Sequence, residues 1–203
     1  MSVRRRTLIA ALLAAPAAAC SLPRSEPVPD RVRGTITKVV GSYVTVRMRS
    51  GRKVIVAVAS DAPISRVLPA RFSDIKTGSY IGTAAMDQTN GTLRALEVQL
   101  FPEDLRGLGQ GHHPWDLEPT STMTNGTVAE ITGANGRTLT VKYLGGSQTV
   151  VVPPDAPVVT YAPGSMADLV PGAHVVISVE AATDAMPRGK RVVVGADGMT
   201  PPM

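Results

Sequence analysis

Residues 102–122 hold the chemistry-bearing side chains of this 203-residue chain at their closest spacing: His112-His113-Pro114-Trp115-Asp116, approached through Gly107, Gly109 and Gly111. Two imidazoles and a carboxylate are ligand types that zinc or copper takes, and Glu103 or Asp104 could complete the set. Against this, adjacent histidines diverge in extended backbone, and no His pair has the i, i+2 or i, i+4 spacing that puts both on one face. The same segment reads as a linker docked through the ring of Trp115, the only tryptophan. Docking outweighs metal here, so no cofactor is expected, and zinc or copper at His112, His113 and Asp116 is the alternative.

A second candidate lies earlier in the chain. From Tyr43 to Arg49, Val44, Val46 and Met48 alternate with Tyr43, Thr45, Arg47 and Arg49, the period of a half-buried strand. With Arg52 and Lys53 the outward residues form a basic face carrying one aromatic, suited to an anionic partner. In an exported chain such a partner is a lipid head group, a glycan or an envelope protein, not nucleic acid. The competing reading is a solvated charged face.

Catalytic patterns are missing. The sequence has no Gly-x-Ser-x-Gly, no His-Glu-x-x-His and no phosphate-cradling loop, and its one cysteine, Cys20, belongs to the leader. The expected function is therefore non-catalytic binding or scaffolding in the cell envelope. A periplasmic metal-binding accessory protein is the alternative.

The elements that must position these residues are written twice. Asp61-Ala62-Pro63-Ile64 returns as Asp155-Ala156-Pro157-Val158, Gly34-Thr35-Ile36 as Gly126-Thr127-Val128, and Asp74-Ile75-Lys76-Thr77-Gly78 as Asp168-Leu169-Val170-Pro171-Gly172. Each copy reads as strands at 33–40, 43–48, 53–59, 80–86 and 93–101, or their counterparts, with one helical turn between the third and fourth. Five short strands with that turn suggest an all-β chain of two tandem OB-like barrels, one per repeat. Function is more readily sought where the copies differ than in the Asp-Ala-Pro motif, which suits a strand end because Pro lacks an amide donor.

These paired motifs, the segment Pro102 to Leu117 and the closing Gly198-Met199-Thr200-Pro201-Pro202-Met203 resemble a bacterial family of exported proteins with an OB-like domain of unknown function. Some relatives in that family carry a metal-transport label. The resemblance implies fold and location and brings no established activity.

The address comes from the start of the chain. Arg4, Arg5 and Arg6, the apolar run Leu8 to Ala19 and the small residues before Cys20 are the three parts of an export signal. The run is too short to span a bilayer. Ala17-Ala18-Ala19-Cys20 resembles a lipobox with Ala17 where Leu is usual, and a lone cysteine at the cleavage point favours lipidation over a soluble periplasmic form. Export could follow the general or the twin-arginine route, the latter suggested by Arg5-Arg6.

Removing Arg4, Arg5 and Arg6 leaves 18 basic against 16 acidic residues, too small an excess for a polyanion signal. The excess is uneven, with 11 basic and 5 acidic residues from Asp30 to Phe101 against 5 and 6 from Met123 to Met203. The expected organisation is a signal at 1–20, a Pro-rich tether at 21–29, repeats at 30–101 and 123–198, a linker at 102–122 and a tail at 199–203.

Overall fold

The computed structural model describes residues 28–133, 135–180 and 186–202, so the export signal, Cys20 and most of the tether lie outside the described residues. Within them the chain is all-β, and its helical elements are short 3-10 turns. The first repeat contributes β1 (Arg31–Val40), β2 (Tyr43–Met48), β3 (Lys53–Val58), β4 (Ile64–Pro69), β5 (Tyr80–Asp87), β6 (Leu93–Ala95) and β7 (Val98–Leu100). The linker contains β8 (Gly111–Pro114). The second repeat follows with β9 (Thr122–Thr132), β10 (Thr138–Tyr143), β11 (Gly146–Val151), β12 (Val158–Pro163), β13 (His174–Glu180) and β14 (Arg188–Gly195).

The alternation read from sequence governs these strands. In β2, Val44 and Val46 are buried while Tyr43 and Arg47 face out. The Gly-Thr-[Ile/Val] motif has a steric cause: a Cβ on Gly34 would overlap the Arg47 carbonyl, and one on Gly126 the Lys142 carbonyl. Glycine lets β1 and β9 approach their partners closely enough to curl.

Pairing departs from the expected tandem arrangement, in which each repeat closes its own barrel. β1, β2 and β3 form an antiparallel meander, but β3 then pairs in parallel with β14, and β14 and β13 return antiparallel to β1. The closed five-stranded barrel therefore takes three strands from the first repeat and two from the second. A reciprocal circuit joins β9, β10 and β11 to β6 and β5 of the first repeat.

The crossing is made by β4 and β12, which the sequence reading treats as connection. They pair antiparallel with each other, Val67 opposite Tyr161. The Asp-Ala-Pro motif starts each one: the Pro63 carbonyl accepts from the Val192 amide at 3.0 Å, and the Pro157 carbonyl from the Val98 amide at 2.9 Å. Proline cannot donate back to the strand being left, so the chain departs from its meander there.

Each helical turn also serves the opposite repeat. Asp74 accepts from the Arg71 amide and Asp168 from the Ser165 amide, at 2.8 and 2.7 Å, closing the turns. Ile75 then buries among the second circuit's apolar residues, and Leu169 among those of the barrel. The amide of Gly78 donates to Val128 and that of Gly172 to Ile36, both at 2.8 Å.

The fifth strand of the first repeat is not continuous. The Leu96 and Glu97 amides both reach the Ala84 carbonyl, at 2.8 and 3.4 Å, and this bulge separates β6 from β7. It gives the side of Leu93 and Ala95 to Val98 and places Glu97 on the opposite one beside Gln99, where it is 0% exposed. In the second repeat the equivalent strand, β14, stays one element but has a matching irregularity, Lys190 being left out of the pairing with β13.

Candidate functional site

β8 and β9 form a hairpin whose tip carries Trp115 and Asp116 onto the outside of the barrel. The Trp115 amide donates to the Ser121 carbonyl at 2.7 Å, and the Ser121 hydroxyl bonds back to the loop, fixing the tip. The Arg31 guanidinium stacks over the Trp115 ring at 3.8 Å. Asp116 accepts from Arg31 at 3.0 Å and from both terminal nitrogens of Arg33 at 2.9 and 2.8 Å. Sequence reasoning anticipates the docked indole; the arginine partners come from residues 83 and 85 positions away and carry no local signal.

Hydrogen bonds from Arg33 hold the Asp116 carboxyl at about 2, down from 3.8. The clasp is at full strength above pH 4 and is lost as the pH falls through about 2. Because the pair is partly exposed, solvent screening limits its worth. Asp116→Ala is expected to lower stability by about 1 kcal/mol in urea unfolding at neutral pH.

The proposed metal ligands do not converge. Neighbours in β8, His112 and His113 point to opposite sides. His112 Nδ1 bonds the Thr124 hydroxyl at 2.8 Å and its ring stacks on Tyr143, while His113 Nε2 faces the Gly109 carbonyl at 3.3 Å. Asp116 is occupied by the two arginines. Among the described residues no group of three or more His, Cys, Asp or Glu side chains is arranged to hold a metal ion.

The basic face, by contrast, is assembled. Arg47 lies opposite Lys53 across β2 and β3, and Thr45 opposite Ile55. On β1, Lys38 lies opposite Thr45 and Val40 opposite Tyr43. Residues 31–60 contain seven cations and no carboxylate. Beside Arg31 and Arg33, which Asp116 engages, this face carries Lys38, Arg47, Arg49, Arg52 and Lys53, gathered toward the β2–β3 turn, with Ile55 next to them and Val40 and Tyr43 at the β1–β2 end; these three are 47%, 55% and 49% exposed. Trp115 lies apart from this face, on Arg31 at the hairpin tip.

A cavity of about 140 Å³ opens between the barrel and the second circuit. Its floor is a continuous sheet: Arg31, Ser178 and Arg191 form one cross-strand row, and Val176, Val193 and Ser65 the next. Phe101, Met123 and Asn125 make the opposite wall, and Leu105, Leu108 and Trp115 of the linker cover it. Tyr161 donates to Gln99 Oε1 at 2.5 Å, and Gln99 Nε2 donates to Glu97 at 2.6 Å, so the wall is backed by a buried carboxyl. Burial raises that carboxyl from 4.5 to about 7, with Gln99 and Arg33 pulling it down by less. No sequence motif marks this cavity, because β4, β12 and β14 meet only through the crossed pairing.

No protein-family model, curated protein or solved structure matches this chain. Among the described residues no helix is long and apolar enough to cross a membrane.

Proposed function

We propose that the chain is a non-catalytic cell-envelope protein that docks its barrel on an anionic lipid surface through β1, β2 and β3. The observation that carries this reading is the charge pattern of that face: five cations with no acid between them in sequence, sharing it with three exposed apolar side chains. Cations near an anionic bilayer contribute about 1 kcal/mol each, and Tyr and Ile among them can enter the head-group layer. The envelope address rests on the leader and on the resemblance to exported proteins with OB-like domains. A single acyl chain holds a protein only reversibly, so lipidated Cys20 and the basic face would act as two signals that together make attachment stable.

Vesicle flotation of the Cys20→Ser protein tests the face without the lipid. Binding to phosphatidylglycerol vesicles is expected, weakening with salt and absent on phosphatidylcholine. Arg47→Glu with Arg49→Glu is expected to weaken binding by thirtyfold or more, since about 1 kcal/mol per lost cation is compounded by repulsion. Equal binding by the double variant would refute the reading, as would salt-insensitive binding to both lipids.

A further inference from the structure

We propose that the cavity between the barrel and the second circuit binds a small organic carboxylate whose apolar body is about the size of one ring. The proposal does not rest on the lipid-facing reading, although β1 lends Arg31 to the floor, and three polar groups of the lining are incomplete as they stand. Arg191 lines the cavity half-buried, and among the described residues it has no hydrogen-bond or salt-bridge partner. The neighbouring cation, Arg31, is already neutralised by Asp116 and stacked on Trp115. The buried Trp115 Nε1 has no acceptor and the buried Asn125 Oδ1 has no donor. Unpaired buried polar groups are costly, so a native site that keeps them invites a ligand that completes them.

The remaining lining sets the rest of the ligand. Phe101 and Tyr161 stack at 5.3 Å, and Leu105, Leu108, Met123, Val176 and Val193 are apolar. A volume of about 140 Å³ is near the roughly 150 Å³ known to admit benzene in another protein. One unpaired guanidinium and one indole N–H suit a singly charged carboxylate, whereas a phosphate dianion would need more cations. A hydroxyl or amino group on the body would serve Asn125.

Trp115 is the only tryptophan, so its emission reports on the site directly. Titrating the full chain with benzoate is expected to change that emission saturably, with a Kd on the order of 1 mM for so small a ligand. Benzamide, the neutral isostere, and inorganic phosphate are expected to bind at least tenfold more weakly. Arg191→Gln is expected to cost benzoate tenfold or more, and Met123→Phe, which fills the cavity without touching a charge, is expected to abolish binding. No saturable change, benzamide equal to benzoate, or benzoate binding unaltered in either folded variant would overturn the proposal. If Arg191→Gln fails to fold, Met123→Phe decides.

Discussion

Residues 28–101 prepared alone are expected to remain unfolded, and mixing them with residues 102–203 is expected to restore the strand signal in circular dichroism. Alone, the first fragment has β1, β2 and β3 but lacks β13 and β14, so both edges of the meander stay open. It also loses Leu169, Ile177, Val192 and Val194 from the barrel core. Burying each is worth roughly 1.5–3 kcal/mol, so together they match the whole stability of an ordinary domain, about 5–15 kcal/mol. The complementary fragment is short of β5 and β6 in the same way. Cooperative unfolding of either fragment on its own would contradict the crossed pairing.

The protein is expected to be less stable at pH 8 than at pH 5 by about 2–3 kcal/mol, with Glu97 as the cause. Its carboxyl moves from 4.5 to about 7 on folding, so the folded state holds the proton more tightly. Below about pH 4.5 both states are protonated and nothing is lost. As the pH rises the unfolded chain ionises first, stability falls, and the loss levels off once the folded carboxyl ionises above about 7. Glu97→Gln keeps the shape and the acceptor facing Gln99, and it is expected to flatten the slope and raise stability at pH 8 by about 3 kcal/mol. Urea unfolding across this range reads both quantities. An unchanged slope in the variant would mean that Glu97 is not the titrating group.

The buried carboxyl shows where sequence reading stops. Glu97 sits in Leu96-Glu97-Val98-Gln99-Leu100, whose own alternation reads Glu97 and Gln99 as the polar, outward side. That side is covered only in the crossed assembly, where Tyr161 reaches Gln99 and Arg33 acts on the Glu97 charge, and a charged residue inside an apolar run is the faint signal of it. The alternating strands β2, β3 and β10 were legible because their periodicity is local. The repeat was legible too, but its two copies carry the same motifs, and nothing in Asp61-Ala62-Pro63 says whether the next strand joins its own copy or the other. β4 and β12 escaped because each is six residues ending in proline, with too little alternation to read as a strand. The basic face was visible in Arg47, Arg49 and Lys53, whereas Val40 and Ile55 join it only through register.

The most direct measurement uses the single cysteine. In a Cys20→Ser background, Ile55→Cys and Leu144→Cys each give one site for an environment-sensitive fluorophore, one on the basic face and one on the β10–β11 turn of the second circuit. Leu144 is the more exposed apolar residue, at 86%, but lies outside the cation cluster of β1, β2 and β3. With phosphatidylglycerol vesicles the label at position 55 is expected to shift to the blue and the label at 144 to stay unchanged. A shift at 144 alone, at both positions or at neither would contradict docking through the face of β1, β2 and β3.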